Sequence, residues 1–192
     1  MKIIGLTGGI GSGKSKILNE FKSFGISCYE ADKVAKKLMI NDQDLSNKIR
    51  TMFGIDVYHG NELDRNKLAN LIFNDDKKLA ALNAIVHPKV ALDFKLFISK
   101  QTVPYIIKES AILIESGAYK NCNLTILVIA PKPERLKRVM KRDGLTDKEV
   151  LDRMSSQWED EKKIQFADFV IENNDWRETK LQIKKIYRQL TS

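Results

Sequence analysis

Cysteine is scarce in this chain of 192 residues: only Cys28 and Cys122 occur, too few for a disulfide framework. Cys28 lies inside an apolar run, where a buried thiol is expected. Both facts suit a reducing compartment, and a cytoplasmic protein is expected. Long apolar runs are absent as well. None approaches the roughly 18 residues of a membrane helix, and the first residues show no basic segment leading into a long apolar one, so neither membrane insertion nor export is expected. No repeat or low-complexity stretch occurs. No cluster of His, Cys and carboxylates stands at metal-ligand spacing, so a metal should arrive with a bound ligand. The guanine-reading patterns D-x-x-G and N-K-x-D are missing too, which disfavours a GTPase.

What is present fits a globular protein that binds a polyanion. An apolar fraction of 43% with 30% charged residues is enough to build a core. The net charge of +8 suits nucleic acid, a membrane face or a nucleotide pocket. Basic residues are spread along the chain among Asp and Glu, and no aromatic stacking platform stands out, so a nucleic-acid-binding ATPase is the weaker reading.

Strand and helix signals alternate. Lys2–Thr7 is a nearly continuous apolar run of the kind covered on both faces. A helix follows over Lys14–Phe24, with Ile17, Leu18 and Phe21 at helical spacing and Gly25 as its stop. Ser27–Glu30, Tyr105–Lys108, Leu124–Ala130 and Phe169–Ile171 read as further strands, and a last helix spans about Trp176–Leu190. Strands separated by helices imply a three-layer α/β/α fold with a parallel sheet of about five strands. More than seventy residues between the second and third strands carry helical patterns and no convincing strand. A helical insert over 32–102 is expected there.

Gly8-Gly-Ile-Gly-Ser-Gly-Lys-Ser15 satisfies G-x-x-x-x-G-K-[ST], after a strand and before a helix. Glycines let the backbone curl so that successive N–H groups face a phosphate chain, and the helix adds its positive end. Lys14 can then neutralise β- and γ-phosphate oxygens while the Ser15 hydroxyl holds Mg²⁺. A small-molecule kinase also needs a carboxylate to take or orient the acceptor hydroxyl, and arginines to meet the transferring group. Asp32 lies two residues beyond Glu30 at the end of the second strand, where period-two geometry puts both on one face. Arg135, Arg138 and Arg142 fall at i, i+3 and i+7 on one helix face.

GLTGGIGSGKS (5–15), EAD with K-V-A-K (30–36), LNAIVHPKV (82–90), LKRVMKRDGLT (136–146), R-x-x-x-Q (153–157) and ADFVIENN (167–174) together resemble the bacterial dephospho-coenzyme A kinase family. The resemblance implies ATP and dephospho-CoA as substrates, Mg²⁺ with the ATP, and transfer of the γ-phosphoryl group to the ribose 3′-hydroxyl. It also implies a nucleotide-binding core over 1–31, 103–132 and 158–192, a CoA-binding insert over 32–102 and a lid over 133–157. Asp32, Lys14, Arg138 and Arg142 become the catalytic candidates. Gly9, Gly11, Ser12, Gly13, Lys14, Ser15, Lys16 and Asn173 are the expected ATP-binding residues, with Asn173 and Asn174 near the adenine. Asp32, Lys36, His87 and Glu109 are the expected acceptor-side residues. A capping or packing role suits His87 as well as substrate contact, and a helix N-cap role would also suit Asp32. Glu109 could hold a magnesium-bound water, Glu115 matches a family glutamate, and His59 reads as a surface turn. Four positions depart from the family pattern: Glu30 replaces an aspartate, Lys16 a threonine, Ala111 a proline, and Lys36 an arginine whose planar fork it lacks. A nucleoside or shikimate-type kinase would share the core and lid but not LNAIVHPKV.

Overall fold

A computed structural model describes residues 1–73 and 75–191. Asn74 and Ser192, within the expected insert and the expected last core segment, lie outside the described residues. The described chain divides into two compact units, Met1–Tyr29 with Thr102–Ser192, and Glu30–Gln101.

The first unit is built on a five-stranded sheet. Its strands are β1 (Lys2–Gly8), β2 (Ser27–Glu30), β5 (Tyr105–Glu109), β6 (Leu124–Ile129) and β7 (Phe169–Glu172), in the order β2-β5-β1-β6-β7. β1 is central, parallel to β5 on one side and β6 on the other, with Leu6 beside both Glu109 and Ile126. Ile4, Leu6, Ile107, Ile126 and Val128 are fully buried, as the unbroken apolar runs require. Helices α1 (Lys14–Ser23) and α9 (Trp176–Thr191) join the same core through Ile17, Leu18, Phe21, Ile183 and Ile186. Each such side chain contributes about 1.5–3 kcal/mol. α1 stops where Gly25 takes a φ of 81°, in the left-handed region. Cys28, expected to be buried, is half-buried, and neither Cys28 nor Cys122 is in a disulfide. Between β6 and β7 come α6 (Lys132–Asp143), α7 (Asp147–Ser155) and α8 (Asp160–Ile164). α6 and α7 share a small core of Val139, Val150 and Met154.

The second unit holds α2 (Ala31–Asn41), α3 (Gln43–Phe53), α4 (Arg65–Phe73) and α5 (Asp76–Ser99) around Leu45, Ile49, Val57, Leu68, Leu82 and Val86. It is not wholly helical, contrary to expectation. β3 (Tyr58–His59) and β4 (Glu62–Leu63) form a short antiparallel hairpin around Gly60, whose own Tyr58 and Leu63 are buried, as is Val57 just before it. Strands of two residues carry too little alternation to be read from sequence. Side chains cap the helices: Asp42 accepts from the Leu45 amide at 2.9 Å, Asp64 from Lys67 at 2.9 Å and Asp75 from Lys78 at 3.0 Å. Those bonds hold the three carboxyls below their ordinary pKa, with the Lys89 ammonium the larger cause at Asp42.

α5 runs unbroken through Pro88. Proline removes one helical hydrogen bond there, and Ala84, whose carbonyl loses it, is exposed to water.

Candidate active site

The segment between β1 and α1 curls as the glycine pattern requires. Gly11 has φ 78° and Gly13, the N-cap of α1, has φ 95°. A Cβ on Gly11 would sit 2.5 Å from the Arg135 carbonyl oxygen, and one on Gly13 would sit 2.1 Å from Asn173 Nδ2. Neither position accepts a side chain without displacement. The Ser12 amide donates to Gly9 O at 3.1 Å, and Lys14 Nζ reaches back to Gly8 O at 2.8 Å. The ten-residue helix that follows has no side-chain cap and no acidic residue in its first turn, which leaves its positive end to an anion. Ser12 is fully buried, and its hydroxyl finds no hydrogen-bond partner among the described residues. An unsatisfied buried hydroxyl costs about 1–3 kcal/mol. An oxygen-rich ligand in the loop would relieve that cost.

Four side chains outside the loop fix its shape. Asn173 Nδ2 donates to Ser12 O at 2.7 Å, and Thr179 Oγ1 donates to Asn173 Oδ1 at 3.3 Å. Expected beside the adenine, Asn173 is buried and holds the loop's own backbone, whereas its neighbour Asn174 is exposed. Arg138 donates to Gly11 O at 3.4 Å and Asn173 O at 3.1 Å. Arg135 donates to Ile10 O at 2.9 Å and pairs with Asp160 at 3.0 Å, while the Ile10 amide donates to Gln157 Oε1 at 2.7 Å. The expected arginine face therefore divides. Arg135 is buried beneath the loop, whereas Arg142 is largely exposed and makes two bonds to Asp143, at 2.7 and 2.8 Å, which raise its pKa further.

Asp160 and Thr179 had no part in the sequence reading, and Gln157 entered it within the R-x-x-x-Q motif alone, without a role, because contacts across 6 to 147 residues leave no periodic trace. Trp176 was likewise unassigned. Its ring lies 3.7 Å from the Lys16 ammonium, a cation–π contact made by the lysine that replaces threonine.

Carboxylates flank the loop unequally. Glu109 ends β5 beside Leu6 and is buried, two residues along β1 from Gly8. Glu115 pairs at 2.8 Å with Lys163, which is wholly enclosed, so it serves the packing of α8. Burial pushes the Asp160 carboxyl up, against the pull of Arg135 and Lys163. Beside that pair a cavity of about 410 Å³ has Glu159, Asp160, Glu161 and Glu172 on its walls against Lys132 and Arg135. Its charge is the wrong sign for a triphosphate.

Mg²⁺ takes few protein oxygens and keeps water and phosphate as its other ligands. The exposed Ser15 hydroxyl in the first turn of α1 and the Glu109 carboxyl are hard oxygen donors of that kind. No group of three or more His, Cys, Asp or Glu that could hold a metal occurs among the described residues. The donor set thus fits a metal carried by a nucleotide.

The remaining expected residues belong to the second unit. Glu30 is the N-cap position of α2 and pairs with Lys33 at 2.5 Å. The helix starts at Ala31, so the period-two relation of Glu30 and Asp32 does not hold, and Asp32 sits in the first helical turn and not at the cap. Asp32 and Lys36 stand one turn apart, at i and i+4, on the same side of α2. His87 is exposed in the middle of α5, where it neither caps the helix nor packs into the core. His59, in β3, is exposed and lies 3.5 Å from Asp64.

The sequence model of the dephospho-CoA kinase family matches residues 2–178. The dephospho-CoA kinase of Chlorobium chlorochromatii is 36% identical over 197 residues, covering 98% of this chain and 93% of that protein. The crystal structure of TT1252 from Thermus thermophilus superposes with a TM-score of 0.90 at 35% identity, covering 100% of this chain and 98% of that one. The dephospho-CoA kinase from Campylobacter jejuni gives 0.70 at 28% identity, covering 98% and 96%.

Proposed function

The chain belongs to the dephospho-CoA kinase family, and from that membership we propose how its residues share the work of moving the ATP γ-phosphoryl group to the 3′-hydroxyl of dephospho-CoA. The observation that carries the reading is the loop at 8–15, with two left-handed glycines, an uncapped helix end and the orphaned Ser12 hydroxyl. An array of fixed N–H donors at a helix N-terminus binds a phosphate chain without reorganising. In this reading Lys14 leaves its Gly8 carbonyl for the β- and γ-phosphates. Ser15, with Glu109 through water, would hold Mg²⁺, which when bound would supply charge neutralisation on the phosphate oxygens. Lys16 stays beside the loop and adds positive charge.

On the acceptor side, Asp32 orients the ribose hydroxyl and accepts its proton as the oxygen bonds to phosphorus and the bond to the ADP oxygen breaks. Lys36, one turn along α2, and the exposed His87 hold the phosphate-bearing remainder of the acceptor. Arg138, bonded to Gly11 O, stands next to the phosphates, and Arg142 exchanges Asp143 for the charge that develops on transfer. The segment 133–157 acts as the lid and the unit around α2–α5 as the acceptor-binding part. Among the described residues no helix is long and apolar enough to cross a membrane, and two cysteines outside any disulfide suit the reducing cytoplasm.

Incubation with Mg-ATP and dephospho-CoA should yield ADP and CoA in equal amounts by mass spectrometry, with shikimate and adenosine unchanged. ADP formed equally well with shikimate or adenosine as acceptor would refute the reading. Asp32→Asn should bind ATP and lose transfer.

A further inference from the structure

Ile10, at the tip of the phosphate loop, is held at every group it offers. Its N–H donates to Gln157 Oε1 at 2.7 Å and its C=O accepts from Arg135 Nε at 2.9 Å. Its side chain packs against the core shared by α6 and α7, with Val139, Val150, Met154 and Leu136. Arg135 is in turn fixed by Asp160 at 3.0 Å, and its guanidinium lies so close to Gly9 that a Cβ there would fall 2.0 Å from Nη2. Two successive peptides, those on either side of Ile10, are thus each bonded by a side chain from a different part of the chain, which is not needed to close the loop, since Ser12 N to Gly9 O and Lys14 to Gly8 O already do that.

We propose that Gln157 is a positioning residue for phosphoryl transfer: with Arg135 it clasps Ile10 through the peptides on either side of it and binds the loop tip to α6 and α7, so that the Gly11–Ser15 amides keep their inward arrangement before nucleotide arrives. The proposal rests on the kinase reading for the identity of the nucleotide. Its consequence for the lid is direct. α6 and α7 cannot swing as a free flap, because moving them pulls the phosphate loop out of shape unless Ile10 leaves its socket.

The energetic logic separates this role from a merely structural one. Without the Gln157 acceptor the Ile10 amide turns to water and the empty loop samples several shapes. Nucleotide must then select one of them, and its apparent affinity falls by the fraction of loops in the competent shape. The fold of the unit loses little, since its sheet and α1–α9 core do not involve Gln157.

The test uses the full chain with two variants. Gln157→Met keeps length and removes the acceptor, and Gln157→Glu keeps an oxygen acceptor. For Gln157→Met the expected result is about a tenfold loss of ADP affinity by titration calorimetry, the scale of one lost hydrogen bond. KM for ATP should rise similarly while KM for dephospho-CoA and the melting temperature without ligand stay near wild type. Gln157→Glu should recover most of the affinity. ADP binding by Gln157→Met within twofold of wild type, equal weakening in both variants, or a rise in both KM values with a lowered melting temperature would each overturn the proposal. Wild-type protein that binds ADP but does not phosphorylate dephospho-CoA would refute the kinase reading alone, because the calorimetric comparison needs no acceptor. Failure of the wild type to bind ADP would overturn both.

Discussion

Asn173→Ala separates a residue that holds the phosphate loop from one that touches the base. In the wild type its amide donates to Ser12 O at 2.7 Å and accepts from Thr179 at 3.3 Å, in a site where only 6% of Asn173 is exposed. Truncation leaves the Ser12 carbonyl without that donor in a place water does not reach easily, which costs about 1–3 kcal/mol. For a chain of this size each kcal/mol moves the melting temperature by about 2–4 °C. The nucleotide-free variant should therefore melt about 4–8 °C lower, and Asn173→Asp lower still, because a buried carboxylate would face the Ser12 carbonyl oxygen where a donor had been. Scanning calorimetry without ligand reads this directly. An unchanged melting temperature together with a raised KM for ATP would refute the reasoning and return Asn173 to the nucleotide.

Three more outcomes follow from the same geometry. Arg142→Ala should lower kcat about a hundredfold, the usual worth of a transition-state contact, and leave melting unchanged because 61% of the side chain is exposed; full turnover by the variant would remove it from the transfer step. Gly11→Ala asks a residue at φ 78° for a conformation costing about 1–2 kcal/mol and puts its methyl 2.5 Å from the Arg135 carbonyl oxygen, so ADP affinity by calorimetry should fall at least about tenfold; affinity equal to wild type would show that the loop has room. Asp42, Asp64 and Asp75 are held below their ordinary pKa by their lysine and backbone donors, so their contribution is complete above about pH 4 and is lost as pH falls through the lowered values; circular dichroism should show the helices loosening there, less steeply in Asp42→Asn, and helicity unaffected down to about pH 2 would contradict the caps.

How far the sequence could be read depended on where each signal lies. The strands and α1 announced themselves through runs such as Lys2–Thr7 and the spacing of Ile17, Leu18 and Phe21, since burial on both sheet faces or on one helix face leaves a periodic trace. The phosphate loop was legible because left-handed φ at Gly11 and Gly13 and the close approach of Arg135 and Asn173 leave glycine as the residue that fits. The strand Ser27–Glu30 was read to its observed end, but its period of two was carried on to Asp32, whereas the four-residue strand passes directly into α2 at Ala31 with no side-chain cap to mark the change. The hairpin around Gly60 was too short to show a period at all.

The arginines show why chemistry and position part company. Three of them at helical spacing look equivalent in sequence, yet α6 turns Arg135 inward onto Ile10 and Asp160 and leaves Arg142 on Asp143 at the surface. A buried guanidinium needs a carboxylate and a carbonyl to offset its lost hydration, and only Arg135 has both. Its charge is already used by the fold, so it cannot also meet a transferring phosphoryl group. The exposed Arg142 has a partner that water screens and that a more highly charged ligand can displace. The two ends of α6 are thus parts of one arrangement: the buried arginine keeps the loop in shape, and in the proposed reading the exposed one exchanges Asp143 for the developing charge.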